Sequence, residues 1–271
     1  MKSSITISLV EEARGGPFVL WDDLPTAMAK ASRLGFDAIE IFPPSADAIR
    51  GLPMETMLGD HGLRLAALGT GAGWVKHRLS LVDPDPAVRT RAIDFVRSII
   101  DAAGPLGASA IIGSMQGRWG GDVSANQAHG YLLEALDRCG SAAAAYDVPL
   151  LYEPLNRYET NQACTLGTAA ELLDLLGVSH NVRLLADLFH MAIEESDIAA
   201  ALREYGPLVG HIHFVDSNRR PVGGGHTNFG PIIAALREIG YSGYLSAEAF
   251  PHPNPDAAAL KTIQAFRYWV G

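Results

Sequence analysis

A regular alternation constrains this chain more than any other feature. Short apolar runs recur at about 5–9 (ITISL), 38–42 (AIEIF), 65–69 (LAALG), 109–113 (SAIIG), 149–153 (PLLYE), 182–187 (VRLLAD), 211–215 (HIHFV) and 243–248 (GYLSAE). Runs this short and this apolar suit strands buried on both faces of a parallel sheet. Between them lie stretches with helical spacing, at 22–34, 85–103, 126–146, 166–176, 197–205, 228–239 and 256–269. In the first, Leu24, Met28, Ala31 and Leu34 share one face; in the second, Val88, Ile93, Val96 and Ile100 do. Gly35, Gly62, Gly104, Gly177, Gly206 and Gly240 stand where helices should stop, as C-terminal caps require.

The chain has 271 residues, so eight strand–helix units take roughly 34 residues each, close to the repeat of a (β/α)8 TIM barrel. A doubly wound sheet is the alternative, but even repeats with no reversal favour closure. The expectation is a single barrel domain over residues 1–271, with RRPVGGGH at 219–226 a long loop rather than a boundary. A chain of this length buries a large core without disulfides or structural metals, so a metal, if bound, serves chemistry rather than folding.

Composition removes other classes. The net charge of -9 argues against a nucleic-acid partner, because affinity for phosphate backbones comes mainly from Lys and Arg. No run approaches the ~18–20 apolar residues of a membrane span, and MKSSITISLVEEARGG lacks a signal-peptide core. Cys139 and Cys164 lie outside any CxxC pair; they are expected as reduced thiols in a cytoplasmic protein. Neither GTGAG nor GGGH continues into a phosphate-loop signature, so no nucleotide is expected.

Barrel enzymes keep their active sites at the C-terminal ends of the strands. The last four strands end at Glu153, Asp187, His213 and Glu248, which are 34, 26 and 35 residues apart. All four are competent ligands and should meet on one rim. Three carboxylates and one imidazole suit one divalent ion, Mn2+ before Mg2+ or Co2+, better than a sulfur-loving metal. Each residue alone has a plainer reading: Glu153 as a salt-bridge partner of Arg157, Asp187 as a helix cap, His213 as a core histidine on the same strand face as His211. His211, deeper in its strand, keeps the core reading. Placement at consecutive strand ends carries the metal expectation. His190, Arg219, Glu159 and Trp74 lie close enough in sequence to contact a substrate.

At these residues the chain resembles the sugar isomerase/epimerase superfamily of xylose-isomerase-like barrels. EPLNRYET (153–160), ADLFHMAIEE (186–195), HIHFVDSNRRPVGGGH (211–226) and SAE (246–248) are similar to the D-tagatose 3-epimerase group. LGTG (68–71), LSL (79–81), VDSNR (215–219) and Gly225–His226 resemble its 5-keto-L-gluconate epimerase branch. The resemblance implies a metal-dependent epimerase or isomerase of a small keto sugar or keto-sugar acid. It implies Glu153 and Glu248 as the acid/base pair, the four rim residues as metal ligands, and His190, Arg219 and Glu159 as substrate contacts. Leu188–Phe189 departs from the Thr–Tyr or Thr–Phe that relatives often carry, and ITISLV offers no aromatic pocket residue. The rival expectations are an inosose or dehydroshikimate-type dehydratase, a metal-dependent endonuclease, and a non-catalytic sugar-binding barrel. Phe266, Tyr268 and Trp269 on the last helix allow a homo-oligomer.

Overall fold

The computed structural model describes residues 1–177 and 181–271. Eight parallel strands close into a barrel in sequential order: β1 (Lys2–Ser8), β2 (Ala38–Phe42), β3 (Arg64–Gly69), β4 (Ser109–Ile112), β5 (Leu150–Tyr152), β6 (Val182–Asp187), β7 (Val209–His213) and β8 (Tyr244–Ala247). The returning helices are α1 (Leu24–Leu34), α2 (Met54–His61), α3 (Pro86–Ala103), α4 (Ala125–Ala144), α5 (Leu166–Asp174), α6 (Ile198–Tyr205), α7 (Phe229–Glu238) and α8 (Pro255–Val270). Three shorter helical turns, Asp47–Arg50, Ala72–Val75 and Leu188–Glu194, decorate the loops that follow β2, β3 and β6. The expected TIM barrel is therefore the fold, and α2 is the one return helix that the sequence signalled only through its terminal Gly62.

Local chemistry sets the helix ends. The Asp23 side chain accepts the Thr26 N–H, and Pro25 occupies the first turn of α1, where no N–H is needed. Asp85 and Pro86 repeat the device at α3. Ser124 and Gln127 form a reciprocal capping box at α4. Gly35 and Gly62 end their helices in the left-handed conformation, as expected. Gly104 and Gly206 correct that expectation. Both keep a right-handed helical backbone and open a short Gly-Pro-Leu turn. They are small for packing instead: a Cβ would sit 2.3 Å from Tyr146 at Gly104 and 2.5 Å from Ile239 at Gly206.

Two apolar layers hold the barrel. Outside the strands, a continuous core joins residues such as Ile39, Leu68, Ile99, Leu136, Leu184 and Ile233 to the helix ring. Inside, Ala67, Ile111, Leu151 and Leu185 form a separate plug contributed by β3 to β6. The opposite interior wall is polar: Ser4, Thr6, Glu40, His211 and Ser246 are all buried there. The barrel interior is thus apolar on one side and polar on the other. Phe266 and Trp269 do not form a free apolar face, since both pack against the core and Trp269 meets Phe229; of the three aromatics on α8 only Tyr268 is exposed. Among the described residues no helix is long and apolar enough to cross a membrane, and both cysteines are free thiols.

Closure between β1 and β8 has its own polar tie. The Thr6 hydroxyl donates to the Ala247 carbonyl at 2.7 Å and accepts the Val19 N–H at 3.1 Å, all of it buried. Thr6→Val keeps the shape and strands both partners. The expected cost is ~1–3 kcal/mol for the buried groups left unpaired, read as a lower urea midpoint with an unchanged slope. An unchanged midpoint would show that the tie contributes nothing to closure.

Candidate metal and substrate site

The pleat of parallel strands points alternate residues inward, so the last inward residue of each strand faces the barrel mouth. Glu153 lies one residue past β5 but stays in the ladder through its N–H to the Ile112 carbonyl, 3.0 Å. Gln116 clamps the same residue from the other side: its amide donates to the Glu153 carbonyl at 2.9 Å and accepts the Tyr152 hydroxyl at 2.8 Å. Asp187 ends β6, His213 ends β7, and Glu248 follows β8 by one residue. The four side chains meet. His213 Nδ1 lies 3.2 Å from Asp187 Oδ2, 3.4 Å from Glu153 Oε1 and 3.7 Å from Glu248 Oε2.

All four donor atoms fall within 4.8 Å of one another. Ligands about 2.1 Å from a common octahedral ion sit about 3.0 Å apart as neighbours and about 4.2 Å apart as opposites, so the set is already spaced for one divalent ion. Glu153 Oε1 is buried with no hydrogen-bond partner, which a cation would satisfy. The donor set fits a hard or borderline dication. Glu153 also depends on an absent side chain: a Cβ at Gly113 would stand 2.5 Å from its Oε2.

The plainer readings resolve residue by residue. Arg157 pairs with Glu194 at 2.9 Å and leaves Glu153 to the site. Asp187 does both jobs: Oδ1 accepts the Phe189 N–H at 2.7 Å and caps Leu188–Glu194, while Oδ2 faces His213. His211 is the buried core histidine expected, bonded to Glu40 at 2.8 Å.

His190 stands on the helical turn after Asp187. Its Nδ1 accepts the Asn156 backbone N–H at 3.2 Å and meets the Asn156 side-chain amide at 2.8 Å. Those two donors place the ring proton on Nε2. That Nε2–H is buried without a partner, 3.7 Å from Asp187 Oδ2 and 3.8 Å from Glu153 Oε1. Burial pushes the imidazole down to about 4, so it is a neutral donor at neutral pH.

Arg219 reaches the site from the loop after β7, with a left-handed backbone (φ 55°) that is unusual for a side chain of its size. Asp216 holds that turn. Its carbonyl accepts the Arg219 N–H at 2.8 Å, and its carboxylate gathers the N–H groups of Ser217, Gly223 and Thr227. The guanidinium then pairs tightly with Glu248, lies 3.5 Å from Glu159 and 3.7 Å from Asp187, and covers the Phe189 ring at 4.8 Å. Phe189, the second residue of the Leu188–Phe189 pair noted in the sequence, thus supplies a face for Arg219.

A cavity of about 300 Å3 opens above these groups. That is the small end of the range for ligand pockets, about 300–1,000 Å3, and suits a single sugar unit. Glu153, His213, Glu248, Arg219 and Glu159 line it together with Phe18, Phe42, Thr70, Val75 and Ser114. Trp74 does not line it. Its ring turns outward over Arg78 and is 40% exposed, while Gly71 and Val75 of the same segment face the cavity. The wall is instead the stacked pair Phe18 and Phe42, ring centroids 4.5 Å apart. Glu40, Asn156, Gln116 and these two phenylalanines escaped the sequence reading, because their roles come from strands and loops distant in sequence.

The chain matches the xylose isomerase-like TIM barrel family over residues 28–269, and it belongs to that family. It is 30% identical over 260 residues to D-psicose 3-epimerase of Agrobacterium fabrum, covering 92% of this chain and 85% of that protein. It is 30% identical over 248 residues to L-ribulose 3-epimerase of Methylomonas sp., covering 89% and 83%. The crystal structure of a D-allulose 3-epimerase from Methylomonas sp. in complex with D-allulose superposes with a TM-score of 0.80 at 25% identity, covering 99% of this chain and 98% of that one.

The electrostatics of the cluster make a measurable statement. Burial, helped by Glu248 and Asp187, pushes the Glu153 carboxyl up against the pull of His213. Burial likewise lowers His213, but Glu40, Glu248 and Asp187 outweigh it and hold that ring protonated well above its usual range. The Glu153–His213 pair therefore holds on to a proton that an entering dication must displace. Mn2+ affinity of the metal-free protein is expected to rise with pH across about 6 to 8, by about tenfold per unit for each proton displaced. Calorimetry in buffers of different ionisation enthalpy counts the protons; affinity independent of pH would contradict the assignment of a proton to that pair.

Proposed function

We propose that the protein is a divalent-metal-dependent epimerase of a keto sugar or keto-sugar acid that moves a proton through an enediolate. The observation that carries this reading is the convergence of Glu153, Asp187, His213 and Glu248, three of which line a monosaccharide-sized cavity. The similarity to proteins named as 3-epimerases of D-psicose and L-ribulose supports it.

Removing a proton beside a ketone leaves negative charge on the neighbouring oxygens, which must be met where it develops. A divalent ion held by the four ligands, Mn2+ before Mg2+ or Co2+, would act as the Lewis acid that polarises the ketone. The chain's own residues supply the rest. The neutral His190 aims its Nε2–H into the site, and Arg219 adds a fixed positive charge; both are donors for a developing oxyanion. Glu159, bonded to the Asn156 amide at 3.0 Å and facing Arg219, presents an acceptor for a substrate hydroxyl.

Glu153 and Glu248 come from β5 and from beyond β8, so they approach the site from well-separated strands. One carboxylate would take the proton from the substrate carbon beside the ketone, which leaves a planar enediolate, and the other would return a proton to that carbon from the opposite face. Their surroundings differ in a useful way. Glu248 is pinned by Arg219, whereas Glu153 Oε1 has no fixed partner. Phe18 and Phe42 would pack along the far carbons of the sugar, with Thr70 and Ser114 offering hydroxyls there.

In deuterated water with Mn2+, a panel of five- and six-carbon ketoses and keto-sugar acids is expected to yield an epimer carrying deuterium at the inverted carbon. Glu248→Gln should lower that exchange by about 10²–10⁴-fold, the usual worth of a general acid or base, while Mn2+ still binds. A new ultraviolet-absorbing enone in place of an epimer would reassign the chemistry to dehydration. Sugar binding without any deuterium uptake would reduce the protein to a binding barrel.

A further inference from the structure

We infer that Glu40 is a positioning residue for His213, fixing the ring so that Nδ1 faces the metal; this rests on the reading of Glu153, Asp187, His213 and Glu248 as ligands. Glu40 stands on β2 and reaches across the barrel interior to β7, where it is 4% exposed. Its Oε2 lies 2.8 Å from His211 Nε2, and its Oε1 lies 3.2 Å from His213 Nε2. The two imidazoles meet edge to face, with ring centroids 5.6 Å apart. One carboxylate therefore serves two rings, one oxygen to each.

A carboxylate accepts and cannot donate, so each histidine must give it an N–H from Nε2. A neutral imidazole has only one such proton. When an ion displaces the ring's Nδ1 proton, the one that remains stays on Nε2 facing Glu40, and the bared Nδ1 lies 3.2–3.7 Å from the three carboxylate oxygens of the rim. The opposite tautomer would aim an N–H at the ligand cluster and block the ion. It would also leave Nε2 facing Glu40 lone pair to lone pair in a buried space. Glu40 thus selects the ligand-competent ring and locks its plane, and His211 in turn locks Glu40. This explains why β7 carries histidines at both 211 and 213, of which only one reaches the rim.

Glu40, His211 and His213 are themselves close enough to hold an ion, so a second buried metal is the alternative occupant of the same contacts. The one-to-one pairing of oxygens with ring nitrogens at hydrogen-bond distances favours protons there.

The test is a Mn2+ titration of the metal-free protein, followed by the electron paramagnetic resonance of free Mn2+, for wild type, Glu40→Gln and Glu40→Ala. Wild type should take one ion per chain. Both variants should bind about 10–100-fold more weakly, the usual loss when the partner of a ligating histidine is removed, with the far-ultraviolet circular dichroism of the metal-free chains unchanged. Affinity within about twofold of wild type, well short of the 10–100-fold that partner losses usually cost, would overturn the inference and leave the metal reading intact. Two ions per wild-type chain would replace it with the second site. Wild type that binds no Mn2+ would remove both readings together. Should the variants fail to fold, 15N spectra of histidine-labelled wild type loaded with Mg2+ decide alone: His213 should be protonated at Nε2 and bare at Nδ1, and the reverse overturns the inference.

Discussion

Two buried carboxylates and a third, half-buried one crowded around one imidazole nitrogen are the constraint on which the rest of the molecule depends. Isolated in a low-dielectric interior, such a cluster would neutralise itself by taking up protons. The fold surrounds it with compensating groups drawn from far along the chain. Arg219 comes from the loop after β7, His190 from the turn after β6, and Glu40 from the opposite wall of the barrel through His213. Each of these is held by a further contact: Asp216 sets the Arg219 turn, Asn156 sets the His190 ring, and His211 sets Glu40. Arg219, His190 and Glu40 are thus oriented by contacts within the chain itself, the kind of preorganisation that electrostatic catalysis rewards.

The barrel makes this possible through its asymmetric interior. β3 to β6 fill their side with Ala67, Ile111, Leu151 and Leu185. The remaining strands line theirs with hydroxyls, Glu40 and His211. The apolar plug seals the floor beneath Glu153 and Asp187, which raises the cost of leaving them uncompensated. On the polar side Glu40 of β2 meets His211 and His213 of β7 directly.

Much of this was legible in the sequence, and for a stated reason. Closed parallel barrels repeat one local pattern eight times, and strand ends fall at predictable positions, so Glu153, Asp187, His213 and Glu248 could be picked out by place alone. The helix-stop glycines were read correctly where a left-handed cap was needed, at Gly35 and Gly62. They were misread at Gly104 and Gly206, where smallness serves packing against Tyr146 and Ile239. What could not be read was anything set by distance across the barrel. Glu40 is one acidic residue in an apolar strand, AIEIF, and nothing local reveals that it faces two histidines about 170 positions away. Trp74 follows β3 and lies close to the rim in sequence, but it is 40% exposed and does not line the cavity, whereas Val75 beside it does. The true wall, Phe18 with Phe42, combines a loop and a strand end that no spacing rule connects.

The most direct measurement of the central claim is an anomalous difference map from crystals grown with Mn2+. One peak is predicted, at bonding distance from a carboxylate oxygen of Glu153, Asp187 and Glu248 and from His213 Nδ1. A map with no peak among those four atoms, or with its only peak between Glu40 and His211, would contradict it.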